Sequence, residues 1–224
     1  MIPVLGVPYI ARSDLFTETI LSIDEPVGDI IIIDNSANGT CPQIDGAHHV
    51  RMFRNIGVAA AWNLIIKSAP KAPWWAIINS DLRFQPGDLA RLATAMQDHD
   101  FVLLNSMACF AVSQRAIQTI GWFDERFCPA YCEDNDFVYR ARLLGIEPHF
   151  ELGHFAHYGS ATIKSDTHMR DENDRTYAQN VREYIRKWGG IMGKEVYKTP
   201  YDEGGSPRDC KTLDMERLNE LSWS

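Results

Sequence analysis

No stretch of this chain approaches the roughly 18 consecutive apolar residues of a membrane span, and its opening, MIPVLGVPYI, lacks the basic start, long apolar middle and small-residue cleavage site of an export signal. No transmembrane segment is expected, and the expected location is cytoplasmic. Basic residues are also too few to grip a polyanion. Lys and Arg number 22 against 30 Asp and Glu, a formal net charge of -8, so non-specific binding to nucleic acid or to an anionic membrane is not expected. The five cysteines, Cys41, Cys109, Cys128, Cys132 and Cys210, are odd in number and contain no C-x-x-C pair. That pattern excludes a zinc ribbon and reads as reduced structural thiols, with Cys128 and Cys132 the one pair spaced to meet. Internal repeats are absent. Also missing is a glycine-rich loop after the first apolar run, where VPYIARSD stands; a sugar nucleotidyltransferase should carry one there.

What is present is an alternation of apolar runs and helical periods. PVLGVPYI reads as a strand and SDLFTETILSI as a helix capped by Ser13 or Asp14. DIIIID holds four isoleucines in succession, apolar on both faces, as a strand inside a parallel sheet requires. VRMF reads as a further strand. The helix after it, NIGVAAAWNLIIKSAP, carries Val58, Ala61, Trp62, Ile65 and Ile66 at i, i+3, i+4, i+7, i+8, and WWAIINSD is another buried strand. Such alternation specifies an α/β fold with an open, mostly parallel twisted sheet flanked by helices. From residue 101 the rhythm changes: two short strands in DFVLLNSMACFAVS, a short helix in QRAIQTIG, an acidic helix from EDNDF, then the histidine-rich EPHFELGHFAHYG. The expected organisation is one domain over 1–224. It comprises a nucleotide-binding half at 1–100, an acceptor and catalytic half at 101–160, and a C-terminal helix and extended tail at 161–224. In that last helix Tyr177, Val181, Ile185 and Trp188 are spaced as one face.

Chemistry in open α/β sheets gathers beyond the carboxyl ends of the strands. Asp34 closes one strand and Asp81 follows another by a few residues. Either could simply form a turn or a cap. Together they suit a base or ribose on one and a divalent cation on the other, since hard cations take carboxylate oxygens and phosphates. The third acidic feature is Glu133, Asp134 and Asp136 at one helix start. The helix macrodipole explains one or two acids there, and Asp136 can pair with Arg140 at i, i+4. Glu133 and Asp134 lie ~100° apart around the axis and cannot serve one neighbour.

Five segments, IIIIDNSANGT, NIGVAAAWN, INSD, GWFDERF and EDNDFVYRARLLG, occur in the order and spacing of a family. Through them, over roughly residues 2 to 160, the chain resembles a family 2 type glycosyltransferase of the GT-A fold. The resemblance implies a metal-dependent, inverting glycosyltransferase using Mn2+ or Mg2+. It would move a sugar from a nucleoside diphosphate sugar, UDP-type favoured, to the hydroxyl of an acceptor such as a glycan. It implies nucleotide contacts from Pro8, Asp34, Asn55, Gly57, Asn63 and Asn79. Asp134 would be the general base, with Glu133 holding the acceptor or the loop. INSD stands where the family has Asp-x-Asp, so Asn79 replaces the first acid, and the metal then depends on Asp81 and a further ligand. His157 in GHFAHYGS fits that role, with His154 in reserve. Trp62 stands where many relatives carry an arginine toward the diphosphate, and Arg182, Arg186 or Lys187 could replace it. The alternatives are a sugar nucleotidyltransferase and a catalytically silent carbohydrate- or nucleotide-binding module.

Overall fold

A computed structural model describes residues 1–36, 38–159 and 167–202. Its centre is a seven-stranded sheet in the order β3-β2-β1-β4-β7-β6-β8. The strands are β1 (Ile2–Tyr9), β2 (Val27–Asp34), β3 (His48–Arg51), β4 (Trp74–Ile78), β6 (Phe101–Leu104), β7 (Ser106–Ser113) and β8 (His149–Glu151). Neighbours from β3 to β4 run parallel, β7 is antiparallel to both β4 and β6, and β8 is parallel to β6. Two short strands, β5 (Leu82–Arg83) and β9 (Ala156–His157), form a separate antiparallel pair.

Each strand feeds both faces of the sheet, as a side-chain period of two dictates. Leu5 and Val7 of β1, Ile32 of β2, and Ala76 and Ile78 of β4 pack with Phe16 of α1 (Ser13–Leu21) and with Leu89 and Leu92 of α3 (Asp88–Ala95). Val4, Ile31, Ile33, Trp75 and Ile77 face the other way. They meet α2 (Val58–Ser68), α4 (Gln114–Ile120) and α5 (Glu133–Leu143). Helices on both faces explain why these strands read as continuous apolar runs. α2 lies so close to β1 that a Cβ on Gly6 would stand 2.3 Å from Ile65 Cγ2.

Several local expectations move. The cap of α1 is neither Ser13 nor Asp14. Arg12 fills that position in the left-handed region (φ 62) with its guanidinium paired to Asp14. The strand expected at VRMF begins two residues earlier, because Ile31–Asp34 pair in register with His48–Arg51; Phe53, past the end of that ladder, is fully exposed. Only the second half of β2 is buried, where β3 covers its edge.

The face of the C-terminal helix, α6 (Thr167–Trp188), is rotated from the apolar one. Thr176, Asn180, Tyr184, Lys187 and Trp188 are buried, while Tyr177 and Ile185 are exposed. Polar groups win that face because each finds a partner. Lys187 Nζ donates to Asp124 Oδ2 at 2.9 Å and lies 2.7 Å from Asp136 Oδ1, and Trp188 Nε1 donates to the same Asp136 oxygen at 2.8 Å. Asp136 also accepts from Arg140 Nε at 2.9 Å, the expected i, i+4 pair, here wholly buried. α6 is thereby clamped to the helix that carries the acidic cluster. Residues 189–202 turn back over that junction: Tyr197 N donates to Trp188 O, and Tyr139 Oη donates to Tyr197 O. The rest of the expected tail lies outside the described residues.

Candidate active site

One cavity of about 410 Å³ opens at the carboxyl edge of the sheet. Pro8 and Tyr9 from β1, Asn35 after β2, and Asn79 to Asp81 after β4 contribute to its wall. β7 runs antiparallel to β4, which brings its first residues, Ser106 to Ala108, to the same edge. Val58 and Trp62 enter from α2, Glu133 and Asp134 from the start of α5, and His157 from β9. The ends of β2 and β4 are not adjacent, since β1 runs between them.

The β5–β9 pair brings together two expected site residues that are distant in the chain. Leu82 registers with His157, Tyr158 N donates to Asp81 O at 3.1 Å, and His157 Nε2 comes within 3.3 Å of Asp81 Oδ1. A carboxylate and an imidazole converging on the wall of a cavity suit a divalent cation whose remaining positions are filled by water or phosphate. His154 is not part of this arrangement. It is exposed, and its backbone N–H is held by buried Asp88.

At the start of α5 two opposing effects meet: the helix terminus favours ionised carboxylates, and burial disfavours them. Burial wins at both acids. Glu133 is 95% buried, and that burial, reinforced by the Asp134 and Asp136 charges, pushes its carboxyl well above the ordinary range. Its Oε2 has no hydrogen-bond partner among the described residues, nor has Nε1 of buried Trp62. Asp134 is half-buried and is raised by burial against the opposing hydrogen bonds from Asn135, whose N and Nδ2 both donate to Asp134 Oδ1 at 2.7 Å. Asp134 is therefore the more open of the two, and Glu133 the more deeply buried.

The expected nucleotide residues divide. Pro8, Asn55 and Asn79 line the cavity. Asp34 stands behind it: its Oδ1 accepts from Ser36 N at 2.9 Å and from Ser36 Oγ, so its carboxylate shapes the loop after β2. Asn35, next to it, reaches the cavity, and its side chain braces the Asn-x-Gly turn through contacts at 3.5 Å with Ile56 N and Gly57 O. Asn55 Oδ1 accepts from Gly57 N at 2.9 Å, and Gly57 caps α2 at φ 88, a conformation that favours glycine. Asn63 does not face the cavity. Its amide is spent on Phe123 O, Phe123 N and Glu125, locking α2 to the GWFDERF segment.

Of the proposed arginine substitutes, Arg182 is exposed, Arg186 pairs with Glu183 and Lys187 is buried in the clamp. The cavity lining contains Asp81, Glu133 and Asp134 but, among the described residues, no Lys or Arg. Sequence reasoning passed over Tyr131, two residues before the first of the acids. It lines the cavity with φ 75, followed by Cys132 at φ 76. Two consecutive non-glycine residues in the left-handed region cost on the order of 1–3 kcal/mol each, and such strain clusters at functional sites.

The two-faced, mostly parallel α/β sheet with a cavity at its carboxyl edge is of the GT-A fold class. The sequence profile described as glycosyl transferase family 2 matches residues 8–160, and the chain belongs to that family. A galactofuranosyl glycosyltransferase of Leishmania donovani is 33% identical over 136 residues, covering 51% of this chain and 31% of that protein. The chain thus spans about a third of the length of this relative. In fold it is similar to S. aureus TarS 1-349, with a TM-score of 0.54 and 13% identity over 81% of this chain and 65% of that one. It is also similar to glucosyl-3-phosphoglycerate synthase of Mycobacterium tuberculosis solved with Mn2+ and UDP-glucose (TM-score 0.57, 16% identity, 82% and 78% covered). The TarS fragment has also been solved with UDP and with UDP-GlcNAc. No helix among the described residues is long and apolar enough to cross a membrane.

Proposed function

We propose that this chain transfers a hexosyl or deoxyhexosyl unit, with inversion, from a UDP-type nucleoside diphosphate sugar to an acceptor hydroxyl, and that the reaction depends on Mn2+ or Mg2+. The observation that carries the reading is the Asp81–His157 contact on the wall of a cavity whose described lining holds three acids and no Lys or Arg. A diphosphate entering such a cavity meets like charge, which no described side chain there offsets. A divalent cation at Asp81 and His157 would supply the missing positive charge to the departing diphosphate. The galactofuranosyltransferase relative and the UDP and Mn2+ complexes of the structural neighbours are consistent with this donor class.

The chain's own residues divide the remaining work. Asn35, Asn55 and the α2 start hold the nucleotide end, while the half-buried Asp134 takes the acceptor proton as the new bond forms. A positioned base contributes on the order of 10² to 10⁴ in rate. Glu133, whose carboxyl burial raises, can when protonated donate a hydrogen bond from the carboxyl oxygen that lacks a partner among the described residues. Attack from the face opposite the diphosphate inverts the anomeric centre in one displacement.

The test is Asp134→Asn, which keeps the shape and removes the basicity. Donor affinity should hold while turnover falls by about 10² or more. Since burial raises Asp134, wild-type turnover should decline on the acid side above the ordinary carboxylate range of about 4. If Asp134→Asn stays active while Glu133→Gln is dead, the base is Glu133; retained anomeric configuration in early product would refute the single displacement.

A further inference from the structure

We infer that Tyr131, held on edge by Tyr177, is the platform on which the acceptor binds, and that the acceptor is therefore a saccharide with a ring face to stack. The inference rests on the transferase reading above.

Three observations converge on Tyr131. It lines the cavity two and three residues before Glu133 and Asp134, beside the proposed base. Its ring meets that of Tyr177 edge to face, with centroids 5.3 Å apart and planes at 85°, and Tyr177 itself is 45% exposed. Its backbone is in the left-handed region, yet it is fastened rather than relaxed: buried Asn180 of α6 donates to Ala130 O at 2.8 Å and to Tyr131 O at 3.3 Å. Glycine at 131 would relieve the strain but present no ring. The arrangement makes sense if the ring must stand at one place beside the base.

The chemistry selects the ligand class. An aromatic face carries negative quadrupole charge and attracts the polarised C–H groups of a pyranose or furanose face. The phenol hydroxyl can serve a sugar hydroxyl at the rim. An open-chain hydroxy acid such as 3-phosphoglycerate has no such face, and its charge would enter an acidic lining without a described cationic side chain to offset it.

The experiment uses the full chain with UDP and Mn2+ present. Methyl glycosides of galactofuranose, galactopyranose, glucose and mannose, with 3-phosphoglycerate as the contrast, are screened by saturation-transfer NMR. At least one glycoside should receive saturation on its ring protons, and 3-phosphoglycerate should not. With the best glycoside as acceptor, Tyr131→Ala should raise the acceptor KM about tenfold or more, equivalent to 1.4 kcal/mol, with the affinity for UDP and Mn2+ held. Tyr131→Phe should restore most of the loss, and Tyr177→Ala, a change at an exposed position, should give a smaller rise of the same kind. Loss of UDP affinity in Tyr131→Ala would assign the ring to the donor and overturn the inference. So would saturation of 3-phosphoglycerate alone, or an unchanged acceptor KM in Tyr131→Ala. If the wild type fails to bind UDP with Mn2+, it is the transferase reading that falls.

Discussion

Replacing Lys187 by methionine tests whether the C-terminal helix is a structural part of the catalytic half. Lys187 is fully buried, its ammonium 2.9 Å from Asp124 and 2.7 Å from Asp136. Methionine fills much of the same volume but leaves the two acids one cation short. Neither is orphaned, since Asp124 keeps Arg126 and Asp136 keeps Arg140 and the Trp188 N–H. The cost of breaking a buried pair, 3–5 kcal/mol, should therefore be met at its lower end, about 3 kcal/mol. For a chain of this size each kcal/mol moves Tm about 2–4 °C, so the variant should melt roughly 6–12 °C below wild type at neutral pH. Arg186→Ala, which breaks the exposed pair with Glu183, should cost at most about 1 kcal/mol. The pH dependence has a definite sign. Burial alone would raise the Asp124 carboxyl, but Lys187 and Arg126 together hold it well below the usual range. A depressed carboxylate stabilises the fold above its unfolded pKa and loses that contribution as pH falls toward its folded one. The gap between wild type and Lys187→Met should accordingly narrow below about pH 4. Circular dichroism melts across pH read all of this. A neutral-pH Tm within 2 °C of wild type, which by the scaling above is under about 1 kcal/mol, would refute the clamp.

Two further substitutions have expected outcomes. Glu133→Gln should stabilise the ligand-free protein at about pH 8, because a raised carboxyl costs stability as pH climbs through its folded value; the gain should vanish below about pH 4, where both states are protonated. Melting curves at both ends check it, and equal Tm at high pH would mean that Glu133 ionises freely. Gly57→Ala forces a side chain onto φ 88 and brings Cβ within 3.1 Å of both Cys128 Sγ and Pro129 O. It should cost about 1–3 kcal/mol and weaken nucleotide binding as well, since Val58 N holds Pro129 O of the loop before Tyr131; unchanged Tm and UDP affinity would contradict this.

Much of this architecture can be read from local pattern. The isoleucines of β2 and the i, i+3, i+4 face of α2 mark buried elements because the sheet is covered on both sides. Asp81 and His157 were expected as a pair, and the β5–β9 pairing brings them together across 76 residues of chain. What local pattern missed depends on distant partners. The face of α6 was expected on Tyr177, Val181, Ile185 and Trp188; Trp188 is buried with Val181 packed beside its cluster, yet Tyr177 and Ile185 are exposed, and Asn180 and Lys187 are buried because Ala130, Asp124 and Asp136 accept from them or pair with them. Asn63 looked like a nucleotide ligand, but its amide closes on Phe123 and Glu125. Asp34 behaves similarly, turned into its own loop by Ser36. The signal for Tyr131 was present, an aromatic two residues before the paired acids. Its strained backbone is a property of the fold alone.

The most direct test of the central claim is the thermal response to UDP with and without Mn2+, compared among wild type, Asp81→Asn and His157→Ala. At 100 times the dissociation constant UDP with Mn2+ should stabilise wild type by about 2.7 kcal/mol, a rise of roughly 5–11 °C. Both variants should fold in the absence of ligand and lose the Mn2+-dependent part of the rise. A wild type indifferent to UDP with Mn2+, or variants that keep the full Mn2+-dependent shift, would contradict a metal site at Asp81 and His157.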